Sequence, residues 1–296
     1  MRDWCINLNA TSLSDPSSIA MSLSLSFSPS KPLALVGAGK MGGALLSGWL
    51  NQGLDPKAAL VFDPSPPQES LDFLSRAGVA VHATPVAGKP ATLIVVAVKP
   101  QVIASVLPTL RPLVGQDTIA VSIAAGTTLA NLEAGLGPIA IVRAMPNTPA
   151  QVGRGITAAV ANAKVGAAGK TLITSALAAV GKVVWVDDEA MIDAVTAVSG
   201  SGPAYVFLLA ECLEAAAIDA GLSSDVARQL ARATVAGAGE LLHRSDLPAD
   251  QLRKNVTSPG GTTEAALKIL MGEGGFGPLL KKAVAAAKKR SEELSG

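Results

Sequence analysis

Aromatic residues are scarce, at 3% of 296 residues, while hydrophobic residues as a whole reach 49%. The core must therefore be aliphatic, built from Ala, Val, Leu and Ile. Cysteine is nearly absent: Cys5 and Cys212 offer neither a disulfide framework nor the spacing of a metal site. The two histidines, His82 and His243, form no Cys/His cluster, so no metal is expected. Charge of one sign is also missing, with 24 Lys plus Arg against 23 Asp plus Glu. Such a balance gives no field for nucleic acid or an acidic membrane surface. Lys281, Lys282 and Lys288 to Arg290 sit on a helical pattern ending in Glu292 and Glu293, which reads as a solvated helix face. No apolar run of about twenty residues occurs. The nearest candidate, Ala204–Ala220, is broken by Glu211, Glu214 and Asp219, so a buried helix and no membrane span is expected.

The length suits two domains. Residues 1–30 stand apart: Thr11 to Ser30 is Ser-rich without Lys or Arg, and Met21 to Phe27 is interrupted at every second position. A secretory signal needs a basic start and a continuous apolar segment, so a disordered leader is predicted. From residue 31 to 188, short apolar runs alternate with helical periods. Strands are expected at 33–36, 59–62, 92–98, 118–122, 140–143 and 182–186. Helices are expected at 41–52, 68–77, 101–110, 129–134 and 167–180. Unbroken aliphatic strands separated by helices imply an α/β fold, a Rossmann-type doubly wound parallel sheet covered on both faces. Residues 189–296 carry only helical patterns. The helix at 204–220 is apolar around most of its circumference and needs cover on several sides, which points to an all-helical dimerisation domain.

Two glycine-rich turns carry the chemistry. Leu33 to Val36 runs into Gly37-Ala38-Gly39-Lys40-Met41-Gly42 and then an apolar helical stretch. The first glycine permits the tight turn, the second lets a pyrophosphate approach the backbone, and the third lets helix and strand pack closely. Asp63 ends the next strand, where a carboxylate accepts hydrogen bonds from an adenosine ribose and repels a phosphate. Its other reading is a turn residue before Pro64. The loop Asp63 to Glu69 holds no Lys or Arg, although Ser65 offers a hydroxyl. Lys99-Pro100 follows the strand ending at Val98, at the sheet edge where ligands sit. Spacing alone leaves Lys99 open between a catalytic and a solvated role. The second turn, Ser258-Pro259-Gly260-Gly261-Thr262-Thr263, places hydroxyls and free N–H groups at a helix start. It is either a carboxylate grip or an ordinary capped loop. No acid, base or metal cluster suited to hydrolysis accompanies these turns, so cofactor-borne redox chemistry fits better.

These residues, with Ala97 to Pro100, Ser122 to Gly126, Arg143 to Pro149 and Ser199 to Tyr205, closely resemble the pyrroline-5-carboxylate reductases from about Lys31 to Leu294. The resemblance implies hydride transfer from NADPH or NADH to 1-pyrroline-5-carboxylate, giving L-proline: an oxidoreductase acting on a CH–NH group. It implies cofactor contacts at Gly37, Gly39, Lys40, Met41 and Gly42, with Ala97, Lys99 and Pro100 beside the nicotinamide. It implies a substrate carboxylate on Ser258, Gly260, Gly261 and Thr262, a backbone contact at Val256, and Thr263 at the ring nitrogen as proton relay. A domain-swapped homodimer, with rings of dimers as a larger form, and a cytoplasmic enzyme are the further expectations. Two departures bear on the cofactor: Asp63 replaces the Thr or Ser usual in the family, and Ala83-Thr84 lacks the asparagine many members place at the ribose. β-Hydroxyacid dehydrogenases share the domain plan, but want a lysine on the helix that here spans Pro203 to Asp219, which has none.

Overall fold

A computed structural model describes residues 26–85 and 90–295, so most of the expected leader lies outside the described residues. Residues 26–30, the last of that segment, are described. Phe27 is buried in the core, and Ser28 and Lys31 pair in an isolated bridge, because a single large apolar side chain suffices to dock the segment before the first strand. The chain divides into two compact units, one built on residues up to Ile192 and a second spanning Asp193–Glu293.

The first unit is a twisted eight-stranded sheet ordered β3-β2-β1-β4-β5-β6-β7-β8. Its strands are β1 (Leu33–Val36), β2 (Ala59–Phe62), β3 (Val81–His82), β4 (Leu93–Val96), β5 (Ile119–Ser122), β6 (Ala140–Met145), β7 (Gly155–Ala161) and β8 (Gly181–Trp185). Helices α1 (Lys40–Asn51), α2 (Gln68–Ala77), α3 (Pro100–Val106), α4 (Leu129–Leu136) and α5 (Ala167–Ala178) connect them. β1 and β4 are buried at every position, as unbroken aliphatic strands in a covered parallel sheet should be. Their side chains alternate between two cores. Leu33, Leu35, Leu93 and Val95 join Leu45, Leu46, Trp49, Ile173 and Leu177 on the α1 and α5 face. Ala34, Val36, Ile94 and Val96 join Ile103, Leu107, Leu110, Leu132 and Leu136 on the α3 and α4 face.

The sheet is parallel, as expected, in every pairing but one. β1 to β6 are mutually parallel, but β7 runs antiparallel to β6, with β8 parallel to β7. The link from Met145 to Gly155 is a single 3₁₀ turn at Thr148–Val152, too short for the crossover that a parallel return needs. β3 and β7 were not among the expected strands. The helix expected at 101–110 stops at Val106 and continues as a 3₁₀ segment, Leu107–Leu113, because Pro108 and Pro112 supply no N–H for helical bonds.

The second unit is helical: the end of α6 (Met191–Val195), a π-helical turn at Thr196–Gly200, α7 (Gly202–Asp219), α8 (Ser224–Arg244), α9 (Ala249–Asn255), α10 (Thr262–Leu270) and most of α11 (Phe276–Ser295). Met191–Asp219 forms one helical stretch containing an 18-residue window with a mean hydropathy of 1.3, long and apolar enough to cross a membrane by length and composition. α7 buries none of its residues, and Phe207 is 61% exposed.

Trp49 anchors the α1 face of the first unit. It is fully buried, and its indole Nε1–H donates to Ala176 O on α5 at 2.7 Å. Trp49→Ala is expected to lower unfolding free energy by about 3–5 kcal/mol in urea titration. A loss below about 1 kcal/mol would remove Trp49 from the core that aligns α1.

Candidate active site

The first site element grows out of β1. Gly37 adopts φ +98, and a Cβ there would sit 2.7 Å from Ala97 O beyond β4. A Cβ on Gly42 would overlap Gly37 O, so α1 leaves the strand at the closest approach a backbone allows. Gly39 differs: it is the extended N-cap of α1, and nothing lies within 4 Å of where its Cβ would be. The first α-helical bond here is Gly43 N–H to Gly39 O at 2.7 Å. The amides of Lys40, Met41 and Gly42 therefore lie in the first turn with no intrahelical acceptor, the arrangement that attracts anions.

Asp63 meets this turn directly. Its Oδ2 accepts the Ala38 N–H at 2.7 Å, and its Oδ1 accepts the Ser65 N–H at 2.9 Å. Ser70 on α2 donates its hydroxyl to Ala38 O at 2.7 Å. The backbone of Ala38 is held on both sides, through its N–H and its C=O. Each Asp63 oxygen has a second lone pair beyond these bonds. Ala97 is half-buried just past β4, while Lys99 is an exposed N-cap of α3 with Pro100 at its first position. Since β2, β1 and β4 are neighbours, the structure brings Gly37 to Gly42, Asp63, Ser65 and Ala97 to Pro100 to one edge of the sheet. That edge lies at the carboxyl ends of the strands where the strand order reverses, the ligand crevice of doubly wound folds.

The second site element lies in the helical unit. Val256 caps α9 and is exposed. Gly261 N–H donates to Ser258 O at 3.0 Å, closing a turn, and Gly260 N–H donates to Glu264 Oε2 at 2.7 Å. Thr257 Oγ1–H returns to Arg253 O at 2.7 Å. Two amides expected to hold a carboxylate, those of Gly260 and Gly261, are thus engaged inside the loop. Thr262 and Thr263 occupy the first two positions of α10, where N–H groups have no intrahelical acceptor, and both add a hydroxyl.

Sequence reasoning missed Ser70, Glu264 and Glu189. Glu189 Oε1 accepts Arg143 Nη1–H at 2.8 Å and the Leu129 N–H at 2.8 Å, joining β6, α4 and the segment before α6. Arg143 is 4% exposed, so its charge requires such a partner. Glu264 alone had a sequence signal, an acid three residues into a helix that starts at threonine.

Residues 189–294 match a family model described as pyrroline-5-carboxylate reductase dimerisation, and residues 32–126 match one described as NADP oxidoreductase coenzyme F420-dependent. The chain is 42% identical over 264 residues to the pyrroline-5-carboxylate reductase of Pseudomonas aeruginosa, covering 89% of this chain and 96% of that protein. It is 37% identical over 268 residues to that of Pisum sativum, covering 90% and 97%. This chain belongs to the pyrroline-5-carboxylate reductase family. Of solved structures, a pyrroline-5-carboxylate reductase from Coxiella burnetii matches with a TM-score of 0.82 and 38% identity, covering 90% of this chain and 99% of that one. The Plasmodium falciparum pyrroline carboxylate reductase, solved with NADP bound, matches with a TM-score of 0.75 and 31% identity, covering 90% and 98%. The glycine turn thus belongs to the NADP-oxidoreductase part of a reductase, and the helical unit to its dimerisation part.

The geometry separates the glycines by role. Gly39→Ala is expected to leave unfolding free energy within about 0.5 kcal/mol while weakening NADPH binding about tenfold. Gly42→Ala is expected to destabilise the fold itself, because its Cβ meets Gly37 O. Thermal unfolding paired with fluorescence titration of NADPH checks both; equal destabilisation by the two variants would contradict the assignment.

Proposed function

We propose that this chain reduces 1-pyrroline-5-carboxylate to L-proline with NADPH or NADH. The observation that carries the reading is the family identity across about nine-tenths of the chain, with the glycine turn and the hydroxyl-rich loop both present. The residues fit a dinucleotide: three first-turn amides at Lys40, Met41 and Gly42, and open space at Gly39. Gly37 to Gly42 would hold the pyrophosphate, Asp63 and Ser65 the adenosine ribose, and Ala97, Lys99 and Pro100 the nicotinamide side. When bound, the reduced nicotinamide supplies a hydride.

Ser258 and Thr262 supply the hydroxyls, and the first turn of α10 the amides, that pin the substrate's carboxylate. Gly260 and Gly261 shape the loop, and Val256 lines it through its backbone. Thr263 hydrogen-bonds the ring nitrogen through its hydroxyl and relays the proton. One hydride on carbon and one proton on nitrogen convert C=N to CH–NH, with no further co-reactant. A protonated imine is a ready hydride acceptor, so the site needs a relay and an orienting grip, not a strong base. Holding donor and acceptor about 3–3.5 Å apart supplies much of the acceleration. Neutral amides and hydroxyls grip a carboxylate without a buried arginine.

The assembly we infer is a domain-swapped homodimer in which each protomer's α10 loop completes its partner's site, with rings of dimers as a larger form. The support is the exposed apolar surface of α7 and the family's dimerisation region. A second copy, not lipid, covers α7, since Glu211, Glu214 and Asp219 interrupt it. The free thiol of Cys212 is in keeping with a reducing cytoplasm.

Purified protein mixed with pyrroline-5-carboxylate should oxidise NADPH or NADH; tight cofactor binding without oxidation refutes the proposal. Thr263→Ala is expected to lower kcat about 100-fold, and an unchanged rate excludes the relay. Asp63→Ser should shift the NADPH-to-NADH ratio of kcat/KM about tenfold toward NADPH, corresponding to about 1.4 kcal/mol; a constant ratio shows that Asp63 does not meet the ribose.

A further inference from the structure

One hydrogen bond in the loop before α10 has no role in the chemistry above. Glu264 Oε2 accepts the Gly260 N–H at 2.7 Å. Gly260 sits at φ +69, in the left-handed region, and the neighbouring Gly261 N–H closes a turn on Ser258 O at 3.0 Å. Glycine crosses readily between positive and negative φ, so Gly260 by itself is a pivot. A carboxylate bonded to a backbone amide is among the stronger hydrogen bonds, roughly twice a neutral one. Glu264 is the third residue of α10 and rises from the same turn as Thr262 and Thr263, so the bond ties the pivot to the helix start. The ordinary consequence is a better-capped helix. A second consequence follows from the loop's shape. With Gly260 fixed, Ser258 and the first-turn donors of α10 stand in one arrangement before any anion arrives.

We propose that Glu264 is a positioning residue for substrate binding: its bond to the Gly260 amide preorganises Ser258 to Thr263 to receive the substrate's carboxylate. This rests on the reading of that loop as the carboxylate site. The bond also keeps the Gly260 amide occupied, so selectivity for the acid group falls to the donors of Ser258, Thr262 and Thr263. A rival effect has the opposite sign, because a negative side chain beside an anion site repels the substrate. Preorganisation and repulsion separate by substitution. Glu264→Gln keeps an acceptor oxygen and loses the charge, Glu264→Ala loses both, and Glu264→Lys loses the acceptor and reverses the charge.

Steady-state kinetics of the full-length variants, with thermal unfolding measured alongside, distinguish the two effects. Glu264→Ala and Glu264→Lys should each raise KM for pyrroline-5-carboxylate about tenfold, with kcat within about twofold and KM for NADPH unchanged. Glu264→Gln should stay within about threefold of the unsubstituted protein, because the amide oxygen still accepts. An unchanged KM in Glu264→Ala, with or without lowered thermal stability, reduces the bond to helix capping and overturns the proposal. A lowered KM in Glu264→Lys overturns it in favour of repulsion. If Glu264→Ala does not fold, the contrast of Gln with Lys separates preorganisation from repulsion in its place. Absence of pyrroline-5-carboxylate reduction by the unsubstituted chain refutes the underlying function instead, which keeps the two failures apart.

Discussion

The backbone of Ala38 is the constraint on which the cofactor half of this molecule depends. Asp63 holds its N–H and Ser70 holds its carbonyl, so β2 and α2 fix the turn between β1 and α1 from outside. Gly37 and Gly42 add the steric half of the constraint, since neither has room for a side chain against the backbone it meets. The result is a helix start whose unpaired amides point along α1 toward the sheet's carboxyl edge. A buried arginine would supply more charge, but amides are neutral and already in place, and they need no reorganisation when an anion binds. The same physics recurs at α10, where Thr262 and Thr263 begin a helix after a glycine turn. Both helix starts are the anion grips of the proposed function, built from main chain and hydroxyls.

The helical unit shows what happens when composition outruns the core available. Its described helices bury few apolar side chains, Ala227 and Ala231 among them, while Phe207 and Leu208 on α7 remain largely exposed. Large exposed apolar patches mark association surfaces. The family's dimerisation region coincides with this unit, which accounts for α7 being apolar round most of its circumference although no residue of it is buried within one chain. Scarcity of aromatics sharpens the point. An aliphatic helix surface gains stability by area, so it needs a partner's equally extended face.

Legibility in the sequence followed the strength of local signals. β1 and β4 were readable because their side chains fill cores on both faces, leaving uninterrupted aliphatic runs. β7 was not: Gly155 to Ala161 is rich in alanine, which carries little strand preference, and its pairing with β6 is decided by a short turn. β3 is two residues long and is defined by its neighbour β2 rather than by its own pattern. Gly37 to Gly42 were legible from spacing as a strand-to-helix turn, and Asp63 as the end of the next strand. The bonds from Ser70 and Glu189 join residues far apart in sequence, 32 positions from Ser70 to Ala38 and 60 from Glu189 to Leu129. No local pattern announces them. Phe27 escaped for a related reason, as one apolar residue in a serine-rich segment reads as leader until the core it enters is known.

In the proposed function, the turn before α1 binds a diphosphate and the start of α10 binds a carboxylate for a single reaction. The most direct measurement is a crystal structure of the assembled protein soaked with oxidised cofactor and L-proline. The expected result is the diphosphate against the amides of Lys40 to Gly42, and the proline carboxylate on Thr262 and Thr263 with its ring nitrogen at the Thr263 hydroxyl, the two ligands in contact in one cavity. Proline bound away from the nicotinamide, or the two ligands in cavities that no neighbouring protomer joins, would contradict it.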